Sequence, residues 1–251
     1  MPRHIAIPCT AMIAVLIAVG CEHRTPRAVI EVIDTSRSIT PRSEKAALDA
    51  IPFQIAHMQR GDELILIPIT GDGANGISGR VLRLTAPIER ESYDADLRRF
   101  RDQAGRQFAA WASSIDPHQS RTDILSALDA ARQQFAMLPT GLNRSLIVAS
   151  DFIEDDSSYN FVSAGALASP AQARQLAARL REQHGFPLRR VSTCLGRLES
   201  SDFSLLSTKR KQAIQVFWSA YLTAGSEPAE IQLDGSGMLA DIEHGCLGTN
   251  Q

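Results

Sequence analysis

The sequence predicts an α/β fold: a doubly wound, mostly parallel sheet with one antiparallel edge strand, covered by helices on both faces. Three observations lead there. Short, nearly all-apolar and β-branched runs recur at Ala28 to Ile33, Glu63 to Ile69 and Ser145 to Ser150, the pattern of strands buried on both faces. Stretches of helical period separate them, as crossovers between parallel strands require. Arg80 to Thr85 alone alternates polar and apolar residues, which suits a half-exposed edge. With strands numbered along the chain, the expected spatial order is 3-2-1-4-5-6.

Each element can be justified in turn. Thr40-Pro41 reads as a helix start with Pro at the first helical position. That helix carries Ala47, Leu48, Ile51, Ile55 and Met58 on one side and stops near Gly61, with Pro52 expected to kink or break it. Gly71 to Gly79 is glycine-rich loop. Tyr93 to Ser114 is a charged helix with Leu97, Phe100, Phe108 and Trp111 inward. Thr122 to Met137 is a helix with Ile124, Leu125, Leu128, Ala131 and Phe135 at helical spacing. Ser169-Pro170 starts another helix that ends near His184-Gly185. Leu188 to Leu195 is a fourth parallel strand. Ser207 to Thr223 is a helix with Ile214, Phe217, Tyr221 and Leu222 on one face, and Glu230 to Leu233 a short last strand. Met238 to Glu243 reads as two helical turns at most.

The first twenty residues are of another kind. Arg3 and His4 give a short basic start, an apolar run covers Met12 to Val19, and Gly20-Cys21 follows. This reads as a signal peptide over 1–20, a tether over 21–27 and one domain over 28–251. Ala18-Val19-Gly20-Cys21 resembles a bacterial lipobox. That resemblance implies lipidation at Cys21 and a periplasmic or cell-surface lipoprotein of the cell envelope; without lipidation the same segment directs secretion. In such a compartment Cys194 and Cys246 are a candidate disulfide pair, although sequence gives no distance between them. Their spacing fits no zinc site. With 26 Lys and Arg against 28 Asp and Glu, the net charge is −2, and no basic cluster stands out, which argues against nucleic acid as a partner.

Right-handed crossovers put the C-terminal ends of all parallel strands on one edge, where open α/β sheets bind ligands. Asp34 and Asp151 each directly follow a buried strand. Two carboxylates side by side repel unless a cation lies between them. The residues around them suit one: Asp34-Thr35-Ser36-Arg37-Ser38 alternates an acid and two hydroxyls, and Arg121-Thr122-Asp123 adds a hydroxyl at a helix start. An all-oxygen set favours Mg²⁺ or Mn²⁺ over zinc.

Asp34-Thr35-Ser36-Arg37-Ser38 resembles the Asp-x-Ser-x-Ser motif of von Willebrand factor A (vWA) domains. Ser120-Arg121-Thr122-Asp123-Ile124 is similar to that family's threonine loop, and Ser150-Asp151 to its final acidic residue. The three segments come in the family's order and context, over about Ala28 to Leu233. The resemblance implies a vWA / Rossmann-like sandwich with a complete metal-ion-dependent adhesion site (MIDAS). Ser36, Ser38 and Thr122 would then ligate the ion directly, Asp34 and Asp151 would act mostly through water, and a partner protein would present an Asp or Glu carboxylate. Arg37, Ile39, Arg121, Phe152 and the loop 71–76 would form the partner-binding face. One departure is that Ser120-Arg121 stands where the family has glycines, so Arg121 would project beside the metal.

Other features read more plainly. Glu154-Asp155-Asp156 reads as a solvated loop, near enough to Asp151 in sequence to add to the attraction for a metal; the scattered histidines read as surface or capping residues, and Phe217, Trp218 and Tyr221 as core. The alternative function is a metal-dependent hydrolase of phosphohydrolase type at the same acidic edge. Against it, Ser36 stands where a second acid is required, and there is no convincing nucleophile or base. The expectation is therefore a lipid-anchored binding module and not an enzyme.

Overall fold

The computed structural model describes residues 24–71, 77, 79–116, 119, 121–163, 165–223 and 229–231. The strands are β1 (Arg27–Asp34), β2 (Glu63–Ile69), β3 (Leu82–Thr85), β4 (Asn143–Ser150), β5 (Val191–Arg197) and β6 (Ala229–Ile231). The principal helices are α1 (Pro41–His57), α2 (Ala95–Ser114), α3 (Ile124–Met137), α4 (Pro170–His184), α5 (Ser201–Leu205) and α6 (Thr208–Thr223).

They form one six-stranded sheet in the order β3-β2-β1-β4-β5-β6. Among the described residues only β3 runs antiparallel, paired to β2. The expected order and the expected edge strand are both present. All eight residues of β1 and all seven of β2 are buried, as their unbroken apolar runs require. Side chains alternate between two cores. Ala28, Ile30, Val32, Ile65, Ile67, Leu146 and Val148 face α3, α4 and α6. Val29, Ile33, Leu64, Leu66, Ile147 and Ala149 face α1 and α2.

Local chemistry sets the element ends. Thr40 caps α1 by accepting from Ser43 N, with Pro41 at the first helical position. Ser169 caps α4 through Gln172 N, and Gly185 ends that helix at φ 71°, a left-handed conformation that glycine adopts without steric cost. Asp62 anchors the start of β1: its Oδ1 accepts from Arg27 N at 2.9 Å, and it pairs with Arg24 at 3.1 Å.

Several expectations need correction. Pro52 does not break α1, which runs on to His57; Pro52 is on the exposed face, and its missing N–H takes one hydrogen bond from the helix. The edge strand begins at Leu82 because Gly79 and Arg80 form a turn. The fourth parallel strand begins at Val191, after Arg190 takes a left-handed φ of 57°, which no strand accommodates. The short helix α5 was not expected. Phe217, Trp218 and Tyr221 are core as expected. Cys194 is fully buried and disulfide-bonded; Cys246 lies outside the described residues. So do the segment read as a signal peptide, with Cys21, and His118, Ser120, residues 72–76, Leu233 and the span 238–243. Among the described residues, no helix is long and apolar enough to cross a membrane.

Candidate metal centre

β1 and β4 lie side by side in parallel register, with Ile33 beside Ala149. This places the next residues, Asp34 and Ser150, level at the ligand-binding edge. Asp34 is fully buried. Its Oδ1 accepts from Ser36 N at 2.9 Å and its Oδ2 from the Ser150 hydroxyl at 2.7 Å. The chain after Asp34 thus curls around the carboxylate and brings both serines inward. Ser36 Oγ and Ser38 Oγ lie 3.1 Å apart, and Ser38 Oγ donates to Asp151 Oδ2 at 3.4 Å. Asp151 Oδ1 accepts from Ile153 N at 2.9 Å.

Thr122 arrives from the α3 side. Its backbone pairs both ways with Asp155, at 3.1 and 2.8 Å. Ser36, Ser38 and Thr122 line one cleft of about 370 Å³, together with Arg37, Gln119, Ile153, Asp155, Val162, Ser201 and Asp202. Four of the five expected ligands are therefore linked by hydrogen bonds or neighbouring hydroxyls, and the fifth lines the same cleft. Thr35 turns away and is buried, its hydroxyl without a partner.

The electrostatics are those of two acids held in an apolar edge. Burial pushes the Asp34 carboxyl above its usual range, although Ser150 and Ser36 donate to it. Burial, and then the charge of Asp34, push Asp151 up to about 7, against hydrogen bonds from Ser200 and Ile153 N. A divalent ion at the cleft floor would reverse both shifts, because it is the largest nearby charge. The donors are all hard oxygens, three of them neutral hydroxyls backed by two carboxylates, and this set fits Mg²⁺ or Mn²⁺.

The expected partner face divides. Arg37 and Arg121 are exposed. Ile39 is 5% exposed, bridged to Ser200 and packed in the α1–α2 core. Phe152 is 6% exposed: its backbone is left-handed at φ 65°, its ring lies 6.1 Å from that of Trp218, and its carbonyl accepts from Trp218 Nε1 at 2.8 Å. Neither side chain presents surface to a partner, because each fills a core that the strand-end loops close. Glu154 is likewise no part of a solvated loop. It is fully buried and its Oε2 accepts from Ile124 N and Leu125 N at the start of α3.

One segment was missed altogether. The loop after β5 is stitched to the serine loop by Thr40 N to Glu199 O at 2.9 Å and Ser201 N to Ser38 O at 3.1 Å. It brings Ser200 to Asp151 and places Asp202 on the cleft wall. The available sequence signal was position alone: these residues follow a parallel strand at the same edge.

No protein-family profile matches the chain, and no curated protein matches it. Among solved structures, a pilus adhesin, SpaC from Lactobacillus rhamnosus GG in an open conformation, is similar at 11% identity and a TM-score of 0.51. The match covers 90% of this chain and 30% of the adhesin. The manganese-loaded TRAP protein of Plasmodium vivax is similar at 13% identity and a TM-score of 0.48, over 87% of this chain and 72% of that one. A von Willebrand factor type A structure from Catenulispora acidiphila is similar at 15% identity and a TM-score of 0.46, over 89% and 42%. At 11% identity the likeness to the adhesin is one of fold. The fold is a vWA / Rossmann-like three-layer α/β sandwich with an antiparallel edge strand.

Proposed function

We propose that this chain is a vWA-type binding module that captures a protein partner through a Mg²⁺ or Mn²⁺ ion. The observation that carries this is the convergence of three distant segments: Ser36, Ser38 and Thr122 line one cleft, with Asp34 and Asp151 hydrogen-bonded to the serines from behind. Ser36, Ser38 and Thr122 would hold the ion, which supplies a Lewis-acidic point with exchangeable water positions. Asp34 and Asp151 provide the opposing charge from below.

Three neutral hydroxyls leave such a centre short of negative charge in its direct shell. A carboxylate from a partner fits that deficit. One charge-assisted contact of this type contributes on the order of a few kcal/mol, roughly a hundredfold in affinity. Arg37 and the neighbouring Arg121 favour an acidic approach, whereas Asp155 and Asp202 on the cleft wall oppose it away from the ion. The partner's acid is therefore directed to the centre of the cleft.

The lipobox-like segment supports an envelope location with a lipid on Cys21. Mass spectrometry of the mature N-terminus tests that part: a diacylated Cys21 is the expected result, and an unmodified terminus beyond it indicates secretion. The binding role is tested by pull-down from envelope extract in Mg²⁺ or chelator. A partner retained only in Mg²⁺, and lost with Asp34→Ala, is expected. A complex indifferent to chelator would sink the metal-bridged mechanism.

A further inference from the structure

Directly beside the Thr122–Asp155 pairing lies a second group of acids. Asp123, next to Thr122, and Glu154 and Asp156, on either side of Asp155, each offer a carboxylate oxygen within 4.8 Å of the others'. Each is anchored by backbone amides through one oxygen. Asp123 Oδ1 accepts from Ser126 N at 2.8 Å, Glu154 Oε2 accepts from Ile124 N at 3.1 Å and Leu125 N at 3.2 Å, and Asp156 Oδ1 accepts from Ser158 N at 2.6 Å. Among the described residues, no Lys or Arg pairs with any of the three.

A second, independent feature points to a ligand. Glu154 is 0% exposed, yet its Oε1 has no hydrogen-bond partner. Tyr221 Oη, also buried, has none either, and Glu154 is the charged group that acts on it most strongly. An unsatisfied buried carboxylate oxygen costs folding free energy unless something cationic meets it. Amide anchoring also fixes each carboxylate's orientation and leaves each with a second oxygen that no amide holds.

We propose that Asp123, Glu154 and Asp156 form a second cation site, separate from the serine–threonine cleft, that takes Ca²⁺ and fixes the loop carrying Thr122. Three carboxylates suit Ca²⁺, which accepts mixed oxygen geometry at about 2.3–2.6 Å, so opposed ligand oxygens stand up to about 5 Å apart. Mg²⁺ needs a tighter, near-octahedral shell and keeps more of its water. Asp156 is partly exposed and gives the ion its route in. Because the three acids belong to the two segments whose backbones pair at Thr122 and Asp155, an ion there clamps both segments. This site stands whether or not the first one binds metal.

The test is equilibrium dialysis of the purified full chain against radiolabelled Ca²⁺, counting ions per chain. It compares wild type, Ser36→Ala/Ser38→Ala, Asp156→Asn and Glu154→Gln, each followed by thermal melts with and without Ca²⁺. Wild type and the double serine variant should bind a Ca²⁺ that both acid variants lose or hold at least about tenfold more weakly. Ca²⁺ should raise the melting midpoint of the first two only. If Glu154→Gln fails to fold, Asp156→Asn, at a partly exposed position, decides alone. Should Asp156→Asn melt like wild type and bind Ca²⁺ as tightly, or should the double serine variant bind none, the proposal is overturned. A wild-type chain that binds one Ca²⁺, untouched by the serine changes but lost with Asp156→Asn, supports this site; the first site is read separately, by Mg²⁺ calorimetry of the double serine variant.

Discussion

The Ser150 hydroxyl donates to Asp34 Oδ2 at 2.7 Å, across 116 residues of chain, and accepts from Phe152 N at 2.9 Å. One small side chain thus holds the deepest acid of the cleft and starts the left-handed turn that follows Asp151. Ser150→Ala leaves both a carboxylate oxygen and a buried amide short of a partner. We expect a loss of about 1–3 kcal/mol in stability, measured by urea unfolding. A wild-type urea midpoint would show that water replaces the hydroxyl.

Thr35 and Asp34 are neighbours with opposite expectations. The Thr35 hydroxyl is buried and unpartnered, so Thr35→Val removes an unsatisfied group while keeping shape, and should be neutral or stabilising. Its Mg²⁺ affinity, measured by calorimetry, should match wild type. Asp34→Ala removes one of the two charges beneath the hydroxyls and should abolish binding. Equal Mg²⁺ binding by wild type and Asp34→Ala would remove the site from consideration.

Gly71 permits a close approach. A Cβ there would lie 2.7 Å from Arg121 Cβ and 3.2 Å from the Arg121 carbonyl oxygen. Neither atom is the far end of a flexible side chain, so Gly71→Ala must push the Arg121–Thr122 segment aside. Gly71 N also donates to Gln119 Oε1 at 2.8 Å. The expected outcome is a roughly tenfold or greater loss of Mg²⁺ affinity without loss of fold. Calorimetry alongside circular dichroism checks it; unchanged affinity would mean that Thr122 does not need this placement.

Glu31 makes stability pH-dependent. It lies inside β1, its Oε2 accepts from Gln54 Nε2 at 2.8 Å, and its Oε1 has no partner. Burial pushes its carboxyl from 4.5 up to about 7, with the Gln54 hydrogen bond pulling the other way. The folded state therefore holds this proton more tightly than the unfolded chain. The stabilisation is full below pH 4.5 and is lost as pH rises through about 7, at roughly 1.4 kcal/mol per pH unit. Glu31→Gln keeps the shape and cannot ionise. Its advantage over wild type should grow by about 3 kcal/mol between pH 4.5 and 8. Urea midpoints of the two proteins that run parallel across that window would show that Glu31 does not titrate there.

By itself, the sequence determined the fold class, the strand order and the edge at which a site would form. Apolar runs, helical periods and the single alternating strand are local patterns, and each marks which faces an element must bury. The same reasoning placed Asp34 and Asp151 at neighbouring strand ends and named the hydroxyls around them. What only the tertiary structure decided depends on contacts between residues far apart in the chain. Ser150 meets Asp34 only because β1 and β4 share their register. Ser200 reaches Asp151 only because the loop after β5 bonds to the serine loop. Ile39 and Phe152, read as surface, turn inward, Phe152 through a positive φ that no sequence pattern marks for a bulky residue. Glu154, read as solvated, is drawn into the protein by the unpaired amides at the start of α3, donors that exist only once that helix is docked against the loop.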